Sequence, residues 1–200
     1  MFARLPWRLK HGAEIFPPLI FVQIKFTYSK QNSKALSAYC FDALHKSLKE
    51  MHVFWLKYAK VIEKELKIIT GLSFQKKKIV CRLNFKRSLS NPLSLKVENI
   101  DDMKDNLIHE LIHTLFTQNY KGKFKKIWDD FWQSHKDNSL VKSHIAVHAV
   151  HYKFSQKLFP NRTKNIIDYS TDLNYKKSWA IVLQDLNAVL NEIKPKKQFR

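Results

Sequence analysis

Two periodicities organise this chain. Ile20, Val22, Ile24 and Phe26 alternate with partly polar neighbours across Leu19 to Tyr28, the pattern of a half-buried strand. Lys78 to Phe85 repeats it, with Ile79, Cys81, Leu83 and Phe85 on one face, and Leu93 to Val97 (L-S-L-K-V) predicts a shorter third strand. Elsewhere the apolar residues recur at helical spacing. Leu36, Tyr39, Cys40, Leu44, Leu48, Met51, Phe54, Trp55, Tyr58, Val61, Ile62 and Leu66 predict a long amphipathic helix, or two with a bend, from Lys34 to about Lys67. Asn32 or Ser33 offers its N-cap, and Thr70-Gly71 ends it.

Asn99 or Asp101 caps a further helix that runs to about Gln118, with Asp101, Asp102 and Asp105 at its positive end. Lys121-Gly122 opens another, with Phe124, Ile127, Trp128, Phe131 and Trp132 on its apolar face. Asp137-Asn138-Ser139 breaks that helix and caps one from Leu140 to Phe159, which Pro160-Asn161 stops. Ser88 to Pro92 and Ile166 to Asn174 read as loops, and Tyr175 to about Ile193 as a last amphipathic helix. Short strands among long helices, with only three glycines, exclude a Gly-rich sandwich or a Rossmann-type fold. They predict a predominantly helical α+β fold with a short mixed or antiparallel sheet. No repeat or boundary divides the chain, so residues 1–194 are expected to form a single domain and 195–200 a disordered basic tail.

Two of the helices carry polar stripes that their apolar surroundings do not explain. In the Asn99–Gln118 helix, Leu107, Ile108, Leu111, Ile112, Leu115 and Phe116 are apolar, whereas Asn106, His109, Glu110, His113 and Thr117 form one polar stripe. An apolar helix of this kind is buried, and buried polar groups need partners. His109 and His113 are four apart on one face, so both can reach one ion, with Glu110 beside them to handle a water. In the Leu140–Phe159 helix, His144, His148 and His151 fall at i, i+4 and i+7 of one face, among Ile145, Val147, Val150, Phe154 and Leu158. The two stripes most simply face each other across a shared ion. The expected zinc ligands are therefore His109, His113 and His148, with His144 or His151 as alternatives and Asp168 or Asp172 as further candidates. His11, His45, His52 and His135 read as structural or surface residues.

H-E-x-x-H within its apolar helix resembles the zincin metallopeptidases, and the helix-then-helix supply of ligands looks like small gluzincin-like proteins. The resemblance implies a small zincin-like domain, with His109 and His113 as Zn²⁺ ligands and Glu110 as general base. It also implies that the strand before the site helix, Leu93 to Val97, lies at the sheet edge beside the cleft, where an extended substrate can add a strand. Phe116 and Asn119 stand where metzincins have Gly and His. Glu192 is the only glutamate after Glu110, so the usual gluzincin ligand has no counterpart. A second likeness is to the SprT-like proteases, which act near DNA; Lys121-Gly122-Lys123-Phe124 has lysine where their third histidine stands.

These residues predict a zinc-dependent peptidase acting on a peptide or protein. Glu110 is the general base, and Tyr169, Tyr175, His144 and His151 are candidate oxyanion donors. The net charge of +19 adds an alternative, a basic nucleic-acid-associated protein with a structural or vestigial zinc. Cys40 and Cys81 are too few for a disulfide scaffold and read as buried thiols of a cytoplasmic protein. Ile15 to Ile24 is too short, and too interrupted by Pro17, Pro18 and Gln23, to span a membrane.

Overall fold

A computed structural model describes residues 22–28, 38–168 and 172–195. His11, Ile20, the caps at Asn32 and Ser33, Lys34, Leu36, Tyr169 and the residues 196–200 of the expected tail lie outside the described residues. The chain forms four strands, β1 (Gln23–Tyr28), β2 (Lys78–Asn84), β3 (Leu89–Ser90) and β4 (Leu93–Lys96). The helices are α1 (Ala38–Thr70), α2 (Ile100–Asn119), α3 (Gly122–Ser134), α4 (Ser139–Leu158), α5 (Thr163–Asp168), α6 (Leu173–Gln184) and α7 (Leu186–Ile193), with a 3₁₀ turn at Pro160–Arg162. The fold is a predominantly helical α+β arrangement around a small mixed sheet.

The sheet runs β1-β2-β4-β3. β1 pairs parallel to β2 from Gln23↔Lys78 to Tyr28↔Leu83, and β2 parallel to β4 from Arg82↔Ser94 to Asn84↔Lys96; β3 closes the edge antiparallel to β4. Parallel neighbours need a crossover, and α1 supplies the one between β1 and β2 as a single continuous helix. Gly71, at φ 73°, ends α1 by donating its N–H to the Lys67 carbonyl at 2.8 Å, in a backbone conformation that favours glycine. Ile79, Cys81 and Leu83 bury one face of β2 as the alternation predicts, while Phe85 falls beyond the strand and is exposed.

The sheet edge departs from the expectation. Leu93–Lys96 is an interior strand, and the edge is β3, within the segment read as a loop. A two-residue strand is too short for its alternation to register in sequence. The edge still borders the site helix: the Thr114 hydroxyl of α2 donates to the Glu110 carbonyl at 2.8 Å and lies 3.4 Å from the Ser90 carbonyl.

α2 and α4 are the two most enclosed helices. Met103, Leu107, Ile108, Leu111, Ile112, Leu115 and Phe116 are buried on α2; Val141, Ile145, Ala146, Val147, Ala149, Val150 and Phe154 on α4. Asn99 caps α2 by accepting from Asp101 N–H, and Asn138 caps α4 by accepting from Val141 N–H. Arg162, just past α4, donates to Asp105 at 2.6 Å and to Asp102 at 3.4 Å, and pairs with Asp101 at 3.2 Å. This clamp fixes the C-terminal end of α4 to the first turns of α2. Burial pushes the Asp105 carboxyl above its usual range in spite of the arginine.

Three other expectations change. Ile166 to Asn174 is not a loop throughout, because α5 occupies its start and buries Ile166. The last helix is two: Asp185 leaves the helical backbone at φ −151° and its side chain accepts from Ala188 N–H at 2.9 Å, so it starts α7. Cys40 is half-buried, whereas Cys81 is buried as expected.

Leu111 is wholly enclosed beneath the site helix, while Leu56 on α1 is 64% exposed. Leu111→Ala should cost about 3 kcal/mol in urea unfolding, and Leu56→Ala under about 0.5 kcal/mol. Equal costs would contradict the packing described.

Candidate metal centre

Five histidines converge where α2 crosses α4. Ring centroids lie 5.0 Å apart for His109–His113, 4.9 Å for His113–His144 and 5.4 Å for His109–His144. His148 and His151 stand 5.6 and 5.8 Å from His109. One ligand nitrogen from each of His109, His113 and His144 falls within 4.8 Å of the others, the one such group among the described residues. His148, the expected third ligand, lies outside that group. Ring positions carry the difference: His144 stands 5.4 Å from His109 and 4.9 Å from His113, so the earlier member of the stripe meets both histidines of the motif.

Neighbouring groups fix which nitrogen each α4 ring presents. His144 Nδ1 lies 2.8 Å from the Leu140 carbonyl, which can only accept, so Nδ1 carries the hydrogen and Nε2 the lone pair. His148 reaches the same state by a longer chain. The Ser178 hydroxyl donates to the Tyr175 carbonyl at 2.8 Å, leaving its oxygen to accept from His148 Nδ1 at 2.8 Å. Trp179 stacks on the His148 ring at 4.1 Å with planes 6° apart. Such hydrogen bonds behind the ring orient metal-ligating histidines.

Burial keeps these imidazoles neutral. It holds His109 well below the usual histidine range, with the surrounding histidines adding to the effect. Burial brings His113 to about 3, His148 to about 2 and His151 to about 4. His144 is lowered by burial too, partly offset by the Leu140 carbonyl and the charge of Asp172. Neutral imidazole is the form that binds metal. Glu110 is pushed up to about 7 by burial, and Cys81, beneath it on β2, to about 12, by burial first and then by the Glu110 charge.

A cavity of about 280 Å³ opens on the cluster, lined by His109, Glu110, His148, His151, Tyr175 and Trp179 among others. The Tyr175 ring packs 4.2 Å from His144, and burial raises its pKa, so its hydroxyl stays a donor at neutral pH. Comparison with protein-family models, curated proteins and solved structures gives no match. The centre therefore rests on its own geometry.

The remaining candidates are elsewhere. Asp172 caps α6, accepting from Asn174 and Tyr175 N–H. The Asp168 side chain and Tyr169 lie outside the described residues. His45 meets the Tyr28 hydroxyl at 3.2 Å, His52 is exposed, and His135 contacts Glu192 at 3.3 Å. Ser178 and Trp179 were not singled out in the sequence, although Tyr175, Ser178, Trp179 and Val182 have the spacing of one helix face.

Two outcomes follow. After loading with a divalent metal, His109→Ala, His113→Ala and His144→Ala should each lose it on dialysis, while His148→Ala should retain most of it, as elemental analysis would measure. Stability should also depend on pH. A histidine held neutral below its unfolded pKa binds fewer protons folded than unfolded, so full stability holds above that pKa and is lost on acidification. The metal-free protein should lose about 1.4 kcal/mol per pH unit per buried histidine between about pH 6.5 and 5. A urea midpoint that stays flat across that window would contradict the burial of neutral rings.

Proposed function

We propose that this protein is a zinc-dependent peptidase. The observation that carries the reading is the convergence of His109, His113 and His144 nitrogens within 4.8 Å, with His109 and Glu110 both lining the cavity that opens beside them. The donor set fits a divalent zinc ion: three neutral imidazoles, His144 oriented from behind by the Leu140 carbonyl, and no thiolate among them. Bound there, the ion supplies Lewis acidity toward a carbonyl and lowers the pKa of a water.

The chain's own groups do the rest. Glu110, adjacent to His109 in sequence and half-buried, accepts a proton from the attacking water at its carboxylate and returns it to the leaving amine. Tyr175, with its hydroxyl protonated, is the donor suited to the charge that develops on the carbonyl oxygen. His148 and His151 line the cavity with neutral rings, and His148, its Nδ1–H engaged by Ser178, keeps Nε2 as an acceptor. β3 gives an extended peptide an unpaired sheet edge next to α2. No helix among the described residues is long and apolar enough to cross a membrane, and a cytoplasmic location is part of the same proposal.

One observation favours a second reading. His148 stands 5.6 Å from His109, so a fourth imidazole is at hand, and four protein ligands close a structural site. With the net charge of +19, that version is a basic nucleic-acid-associated protein.

Glu110→Gln separates the two. It should keep stoichiometric zinc and lose about 10²- to 10⁴-fold in peptide hydrolysis, measured on a quenched-fluorescence peptide library. Undiminished hydrolysis in that variant would sink the mechanism. Zinc without hydrolysis in the wild type, together with salt-sensitive RNA binding that survives metal removal, would favour the structural site.

A further inference from the structure

We propose that the turn between β2 and β3 is a carboxylate-binding site, and that the peptides taken by this cavity carry a carboxylate beside the scissile bond. The carboxylate is either a C-terminus or an acidic side chain. The statement about cleavage rests on the peptidase reading; the statement about binding does not.

The cavity that reaches His109 and Glu110 is walled on its other side by Lys86, Arg87 and Lys96. A single side chain holds that turn in shape. Asn84 Oδ1 accepts from Lys86 N–H at 2.7 Å and Arg87 N–H at 3.0 Å, while its Nδ2 donates to the Arg87 carbonyl at 3.0 Å and the Leu95 carbonyl at 3.3 Å. The Ser88 hydroxyl ties the turn to β4 by accepting from Lys96 N–H at 3.1 Å. The backbone that carries both cations is therefore ordered before a ligand arrives, which lowers the entropy cost of binding.

The charges around the cavity are unevenly satisfied. Three of its carboxylates, all but Glu110 at the histidine end, have partners: Arg162 takes Asp105 at 2.6 Å and Asp102 at 3.4 Å, and Glu98 has Lys96 at 3.5 Å and the Asn106 amide at 2.7 Å. Lys86 and Arg87 are exposed and have no ion pair among the described residues. Two unpaired cations on a fixed turn thus face a centre built for a polarised carbonyl. A guanidinium matches a carboxylate through two parallel hydrogen bonds, and the neighbouring ammonium adds a point charge. At about 280 Å³ the cavity has the size of a pocket for a side chain or a chain terminus.

The test is binding of rhodamine-labelled hexapeptides to zinc-loaded, full-length Glu110→Gln protein, followed by anisotropy. Three matched peptides are used: one with a free C-terminal acid and glutamine inside, one amidated with an internal glutamate, and one amidated with glutamine only. At least one acidic peptide should bind roughly fivefold more tightly than the neutral one, a preference that fades as salt is raised. Lys86→Gln/Arg87→Gln should abolish the preference, and so in part should Arg87→Gln alone. Lys60→Gln/Lys64→Gln on the exposed face of α1 should leave it intact. Which acidic peptide wins identifies the source of the carboxylate.

No preference for either acidic peptide overturns the proposal. So does a preference that survives Lys86→Gln/Arg87→Gln or disappears in Lys60→Gln/Lys64→Gln, since the general positive charge then accounts for it. Absence of hydrolysis by the wild type sinks the peptidase reading instead and leaves this binding result standing.

Discussion

An imidazole taken out of water must find a partner for both nitrogens or lose several kcal/mol, and most of this architecture follows from that constraint. α2 and α4 are apolar over most of their surfaces, so packing drives them against each other and against the sheet. Each carries a polar stripe through the contact. Burial alone would make those stripes a defect, because His109 lies among four other histidines that cannot all be protonated. The solution visible in the fold is to satisfy one nitrogen of a ring from behind and aim the other at the shared space. Leu140 does this for His144, and Ser178 for His148. An ion bound between the rings of His109, His113 and His144 would complete that pairing.

The supporting elements serve the same end. The Arg162 clamp binds the chain after α4 to Asp102 and Asp105 at the start of α2, tying together the two helices whose crossing sets the distances from His109 and His113 to the α4 histidines. α6 brings Tyr175, Ser178 and Trp179 against the α4 stripe on one helix face. Thr114 joins α2 to β3, keeping the sheet edge beside the motif. A small sheet suffices here because it only has to present the turn held by Asn84 to one side of the cavity; the histidines come from helices.

Features with a long period were legible in the sequence. The long helix ending at Thr70-Gly71 and the strands at β1, β2 and β4 follow from spacing, and side-chain chemistry narrows the caps to Asn99 or Asp101 and to Asp137-Asn138-Ser139, of which Asn99 and Asn138 serve. The two histidine stripes were legible as stripes, since their apolar flanks gave them no other explanation. Short-range features were not. β3 has two residues, α5 six, and the break at Asp185 depends on one side chain turning back to Ala188. None of these leaves a repeated pattern. Which α4 histidine meets His109 and His113 was also beyond the sequence, because spacing fixes the face of a helix and not the height at which another helix crosses it.

That last point bears on whether the centre is open or closed. His144 and His148 are one helical turn apart, both with Nδ1 engaged and Nε2 free, so chemistry does not separate them; position does. His144 belongs to the close nitrogen group with His109 and His113, while His148 and His151 line the cavity wall together with Glu110. A closed site would draw His148 into the group, against the Trp179 stack at 4.1 Å and the Ser178 bond at 2.8 Å that hold its ring where it is. Those two contacts favour three ligands and a position left for substrate. On the peptidase proposal, Ser178 and Trp179, neither of them a ligand, are thus the residues that would keep a bound metal open to substrate.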